Sequence, residues 1–179
     1  GLAQGKQEPA AATTTGRPPN ILLIVSDDHQ AGAMGCAGNQ VVKTPNLDRL
    51  AGAGVRFSNA FVTIPICTPS RAAFLTGRCG ASNGITFFGM RILPNTPTWP
   101  ATLAEHGYQT AITGKWHITN NFGDLGFQWS ANILLGGMSE YENPKLVQHA
   151  GQTEADAKVV KGNMTEIITD TALRFLNER

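Results

Sequence analysis

Residues 66–78, ICTPSRAAFLTGR, set a cysteine at the start of a helical stretch with an arginine four residues on. A helix start offers unpaired backbone N–H groups and the positive end of the dipole, which favour an anion at Cys67. Arg71, one turn later, shares its helical face. Two further stretches put reactive groups at strand ends, where open α/β sheets gather their ligands. Asp27 and Asp28 close an apolar run, and Lys115 and His117 close a later extended one. Adjacent carboxylates repel each other unless a cation or hydrogen-bond donors compensate, so a hard metal fits there. Lys115 and His117 sit two apart, a spacing that turns both side chains to one face of an extended segment.

Each of these has a plainer reading. The acids could cap the next turn, Lys115 and His117 could sit in a solvated loop, and Cys67 could pack as a small hydrophobe. Two sharper alternatives fail on spacing. A thiolate phosphatase needs its arginine six positions after the cysteine, where this chain has Ala73, and no CxxC or HxxxH spacing exists for zinc.

The elements that must position these groups are legible in part. Residues 20–28, NILLIVSDD, form the continuous apolar run of a central strand buried on both faces. A helix is predicted over 44–55, with Thr44 as N-cap and Pro45 at its first position. Residues 55–63 read as extended. The next helix has Pro69 just inside its start and Gly77 just past its end. A further helix over 97–107 closes on Gly107, and a strand follows over 108–117. Residues 120–152, rich in Gly and Asn, read as loop and irregular structure. Val160, Met164, Ile167, Ile168, Ala172, Phe175 and Leu176 keep the spacing of an amphipathic helix. The strand that a βαβ pattern would supply next is not in the sequence. The fold class is therefore α/β, a mostly parallel sheet with flanking helices, incomplete in this chain.

Composition agrees. The 179 residues suffice for a real core, and charged residues are only 15% while Gly numbers 20, which suits a buried sheet with tight turns. Lys plus Arg is 14 against 13 for Asp plus Glu, a net charge of +1, so neither nucleic acid nor a membrane surface is reached by bulk electrostatics. No run approaches the ~20 apolar residues of a membrane span. Of Cys36, Cys67 and Cys79 at most one pair can close, which makes Cys67 a candidate for the odd thiol. Residues 1–19 read as a disordered leader left by signal cleavage or as an appended cloning remnant.

Cys67-Thr68-Pro69-Ser70-Arg71, followed by Leu75-Thr76-Gly77-Arg78, resembles the type I sulfatase signature C-x-P-S-R-x-x-x-L-T-G-R. The flanking blocks PNILLIVSDD, GCAGN, TPNLDRLAGAGVRFSNAF and GYQTAITGKWH fall in that family's order. The resemblance implies an alkaline-phosphatase-like α/β fold and sulfate-ester hydrolysis. It implies that a formylglycine-generating or related maturation enzyme oxidises Cys67 to formylglycine, an aldehyde that hydrates to a geminal diol. One diol oxygen attacks sulfur and displaces the alcohol. Loss of a proton from the other hydroxyl then lets the aldehyde re-form and sulfate depart.

Position by position, the resemblance makes Asp27 and Asp28, with residue 67, ligands of one divalent metal, usually Ca2+. Arg71 would hold the formylglycine hydroxyl and brace the metal-site carboxylates. Lys115 would contact sulfate and diol, and His117 would take the proton. Thr68 and Ser70 would mainly cap the helix, and His29 would touch substrate. The family's later half supplies a further Asp/Asn pair, a second His and another Lys, none of which can be located here. Calcium takes ~6–8 oxygens, more than two carboxylates and a diol offer. Residues 20–179 are accordingly read as the N-terminal part of a catalytic domain, and the 179 residues alone are expected to be inactive. The substrate is a sulfated small molecule or glycan, and the protein is expected to be exported, to the periplasm or beyond. A phosphonate or phosphate ester hydrolase of the same superfamily, or a non-catalytic fragment that binds sulfated glycans, remains the alternative.

Overall fold

In the computed structural model, residue 16 and residues 18–178 are described. The leader expected over 1–19 therefore lies almost wholly outside the described residues. The chain divides into two compact units, Gly1–Val55 and Arg56–Arg179.

In the first unit the helix α1, Pro45–Ala53, begins where the proline requires it. Thr44 stands at its N-cap without capping it. Its hydroxyl donates to the Asp48 carboxylate at 2.9 Å and accepts from the Gly35 N–H at 2.8 Å. Asp48 also accepts the Cys36 N–H at 2.7 Å, so the GCAGN turn is pinned to the helix. A Cβ on residue 35 would collide with the Asp48 carboxylate, which explains the glycine. The Cys36 N–H chiefly holds the Asp48 carboxyl below its usual range, against some opposing burial and with help from Thr44. The pin is therefore at full strength above the ordinary carboxylate pKa and is lost as pH falls through the lowered one.

Residues 20–28 do not form the expected central strand. They have no ladder partner among the described residues, and Ile21, Leu22 and Ile24 are 59%, 67% and 79% exposed. A doubly buried strand draws its stability from neighbours on both edges and layers on both faces. The apolar run identifies a segment suited to that environment without supplying it.

The second unit holds the core. The helix α2, Cys67–Thr76, ends on Gly77 in the left-handed conformation, as the sequence requires. It is followed by the short helix α3, Gly80–Asn83, and by α4, Trp99–Glu105, whose Thr98 N-cap accepts the Ala101 N–H. The strand β1, Ala111–Lys115, pairs in parallel with β2, Trp129–Leu134. A second, two-stranded antiparallel sheet joins β3, Lys145–Leu146, to β4, Lys158–Val159, and the chain continues into α5, Met164–Asn177. Residues 55–63 carry no regular element.

The irregular stretch expected over 120–152 thus contains a strand of the parallel sheet. Trp-Ser-Ala-Asn-Ile-Leu has no alternation to announce it, because the strand carries a bulge. Ala131 and Asn132 together oppose Thr113, and Asn132 takes φ +53. The bulged side chain is used. Asn132 donates to the Thr171 hydroxyl of α5 at 2.7 Å and accepts from Gln148 at 2.9 Å. Across the ladder, Gly114 sits at φ +92 against Ile168, so α5 packs where a side chain would be strained.

The apolar cluster joins Ala72 and Leu75 of α2 to Ile85, Ile92, Trp116, Ile118, Phe122, Phe127, Ile133 and Val147. Trp116 stands edge-on to Phe122 and Phe127 at 5.8 and 6.1 Å, and its indole N–H donates to the Asn120 carbonyl at 2.7 Å. Full burial of such side chains is worth about 1.5–3 kcal/mol each. The cluster takes in Ala72 and Leu75 of α2 and Trp116 and Ile118 just past β1, and so packs the two segments against each other.

Candidate active site

Four residues singled out from the sequence converge inside the second unit. Cys67 opens α2, with Ile66 as an N-cap that makes no side-chain bond. Pro69 has no N–H to satisfy, so the unpaired donors of this turn belong to residues 67 and 68. The Lys115 ammonium, at the end of β1, lies 3.5 Å from the Cys67 sulfur. Arg71 donates to the Lys115 carbonyl at 2.6 Å, which ties the second turn of α2 to the last residue of β1.

His117 follows two residues beyond. It lies outside the strand with φ +52, so alternation along a strand does not by itself set its direction. Backbone pairing nevertheless continues, from the Trp116 N–H to the Leu134 carbonyl and from the His117 N–H to the Leu135 carbonyl. The left-handed conformation costs a non-glycine residue roughly 1–2 kcal/mol. Three contacts hold it. The imidazole stacks on Phe88 at 5.3 Å and 25°, the ring abuts Gly137, and the His117 carbonyl accepts the hydroxyl of buried Thr68 at 2.7 Å.

Thr68 therefore has a different task from the capping expected of it. Its hydroxyl crosses 49 positions in sequence to anchor the His117 backbone to the residue beside Cys67. Ser70 does not cap either, and its hydroxyl turns back to the Cys67 carbonyl at 3.1 Å. Phe88 and Gly137 were not flagged by the sequence. The close Gly137 approach can be tested directly. A Cβ there would fall 2.5 Å from His117 Cε1, so the ring or the turn must move. Gly137→Ala is expected to cost about 1–3 kcal/mol of stability as an overpacked site. It should also shift the imidazole off Phe88, seen as a lower melting temperature together with changed His117 proton resonances.

Asp27 and Asp28 belong to the first unit. Both are exposed, and Asp28 takes φ +51, another left-handed conformation at a residue with a side chain. His29 lies beside them and its Nδ1 meets the Ser26 hydroxyl at 2.9 Å. The two carboxylates fit a hard, oxygen-preferring cation in donor type. No group of three or more His, Cys, Asp or Glu able to hold a metal occurs among the described residues. All three cysteines are free thiols. Among the described residues no helix is long and apolar enough to cross a membrane.

In the second unit the geometry supplies a candidate nucleophile at a helix start, a cation in contact with it, and an imidazole tied to the same turn. Against known proteins, the family model described as Sulfatase matches residues 19–179. The chain is 38% identical over 165 residues to the N-acetylglucosamine-6-O-sulfatase of Bacteroides thetaiotaomicron, covering 90% of this chain and 28% of that one. It is 43% identical over 122 residues to the steryl-sulfatase of Mus musculus, covering 62% and 20%. A solved structure described as in complex with its substrate D-glucosamine-2-N,6-O-disulfate superposes with a TM-score of 0.79 at 36% identity, covering 91% of this chain and 32% of that one. The chain thus spans less than a third of the length of each of these relatives, at their N-terminal part.

Proposed function

This chain belongs to the sulfatase family, and from that premise we propose that the protein hydrolyses a sulfate ester at residue 67 after its conversion to formylglycine. The observation that carries the reading is the contact between the Lys115 ammonium and the Cys67 sulfur, at the start of a helix braced by Arg71. Formylglycine, once formed, would supply a hydrated aldehyde with one hydroxyl to attack sulfur and a second to release the product. Lys115 then lies where negative charge grows on the transferring sulfate, and a cation fixed there before reaction acts without reorganisation. Arg71 holds the end of β1, and so Lys115, in register with α2. His117, positioned by Thr68, Phe88 and Gly137, takes the proton whose loss lets sulfate leave, since imidazole titrates near neutrality.

Asp27 and Asp28 are proposed as carboxylate ligands of one divalent metal, calcium in the first instance. The ion would supply positive charge to the sulfate oxygens. In the full-length protein, Asp27→Ala or Asp28→Ala should abolish turnover while the melting temperature of the metal-free protein stays within a few degrees of the parent. Chelation should remove activity, and calcium should restore it. Zinc bound through Cys36 and Cys79, measured by metal analysis, would contradict the assignment.

Residues 20–179 form the N-terminal part of the catalytic domain in this reading, with the remaining metal ligands and the second His and Lys in later sequence. Export and a maturation enzyme acting on Cys67 belong to the same proposal. The phosphonate or phosphate ester alternative predicts faster turnover of a phosphodiester than of an aryl sulfate under the same conditions. Side-by-side kinetics on the matured protein separates the two, with the sulfate expected to be preferred.

A further inference from the structure

We propose that a cavity of about 590 Å3 beside His117 seats the leaving alcohol, and that its lining selects a polyhydroxylated one, a sugar, over an aryl or steroid ring. The inference rests on the sulfate-ester reading above and adds the substrate class. The cavity lies wholly within the second unit. Its wall includes Thr68 and His117 of the candidate site, so a group held there is next to the reacting centre. Its size falls in the range of roughly 300–1,000 Å3 usual for small-molecule sites.

The polar groups of the lining divide into donors and acceptors. Asn120, Asn121 and Gln152 each commit the amide oxygen to backbone N–H groups, those of Ile92, of Gly123, and of Gln148 and His149, at 2.6–2.8 Å. What each amide retains for a ligand is its NH2 donor. Arg91 adds a charged donor to the same wall. The acceptors are the carboxylates of Asp124 and Glu154, and Glu154 reaches over Gly136, where a Cβ would lie 3.3 Å from its Oε1. Asp156 accepts the Thr153 N–H and hydroxyl at 2.8 and 2.9 Å, which fixes the turn from which Glu154 projects. Donors and acceptors lining one cavity match hydroxyl groups, which both give and accept a hydrogen bond.

The two largest aromatic residues of the lining are committed elsewhere. Trp116 and Phe122 contribute to the wall, but they are only 3% and 1% exposed and are spent on each other and the core. A site built to bond hydroxyl groups also rejects analogues that lack them, because its own polar groups are then left unpaired.

The test compares N-acetylglucosamine 6-sulfate with 4-nitrophenyl sulfate on the matured full-length protein and on its Glu154→Ala and Arg91→Ala variants. Both residues are exposed, so the fold should tolerate the change. On the sugar sulfate, kcat/KM should fall about 10-fold or more in each variant. On the aryl sulfate, which offers no hydroxyl groups to hold, it should change less than about 2-fold. Equal losses on both substrates, or no loss on the sugar, would overturn the proposal. Saturation-transfer NMR of unsulfated N-acetylglucosamine with the Cys67→Ala protein supplies an arm that needs no turnover. Binding that Glu154→Ala weakens supports the cavity even if neither ester is hydrolysed, an outcome that would sink the sulfatase reading alone. Absence of binding overturns the cavity assignment while leaving that reading intact.

Discussion

The Cys67→Ser variant of the full-length protein is expected to become sulfated once and then stop. A serine hydroxyl at the start of α2 meets the same helix terminus and the same Lys115 ammonium as the native side chain. It can therefore accept sulfate. It carries no second hydroxyl on the same carbon, so nothing can expel the sulfate, and the ester it forms is stable. Steady-state turnover should fall by about 10⁴–10⁶-fold, the scale seen when an enzyme loses its nucleophile. Mass spectrometry should show one sulfate on the peptide of residues 57–71. A serine variant that turns over at a tenth of the parental rate would mean that residue 67 is not the nucleophile.

The second large effect is at His117. With the imidazole removed, attack at sulfur keeps its nucleophile and its Lys115 charge, whereas release of sulfate loses its base. His117→Ala should slow release about 10²–10⁴-fold. Rapid-quench analysis should find sulfate held on residue 67 during turnover, and aryl sulfate should give a burst of phenol followed by a slow phase. Near-parental turnover would remove His117 from the mechanism. An equal loss in burst and slow phases would place it in attack instead.

How far each feature depends on distant partners decides how much of it could be read: the α/β class with a parallel sheet was legible, its individual elements less evenly so. Cys67, Arg71 and the Gly77 stop are local: a helix start, an i, i+4 pair and a left-handed cap are written in adjacent residues, and α2 runs from Cys67 to Thr76 accordingly. The amphipathic period gave α5 for the same reason, displaced only at Val160, which lies before it. Lys115 and His117 were found as a pair, but strand alternation was an incomplete reason. His117 stands past the strand at φ +52 and is held by Thr68, Phe88 and Gly137, which come from three separate segments.

Features that rest on long-range pairing were legible only in part: β1 falls within the strand expected over 108–117, but its partner does not stand out. The β2 strand hides its alternation behind the Asn132 bulge, whose side-chain partners lie 16 and 39 positions away. Residues 20–28 show the converse, an apolar run with strand character and no ladder among the described residues. The resemblance gives the Thr68 hydroxyl a capping role, whereas in the structure it donates to the His117 carbonyl. No pattern in the sequence could have assigned it to a carbonyl 49 positions away.

The central claim is that residue 67 acts as a formylglycine, and the most direct measurement is the mass of the tryptic peptide of residues 57–71 from the native source. The account predicts an aldehyde at residue 67, visible as a loss of mass relative to the thiol peptide and as capture by a hydrazide reagent. A peptide found only as the intact thiol, in protein that still hydrolyses sulfate esters, would contradict it.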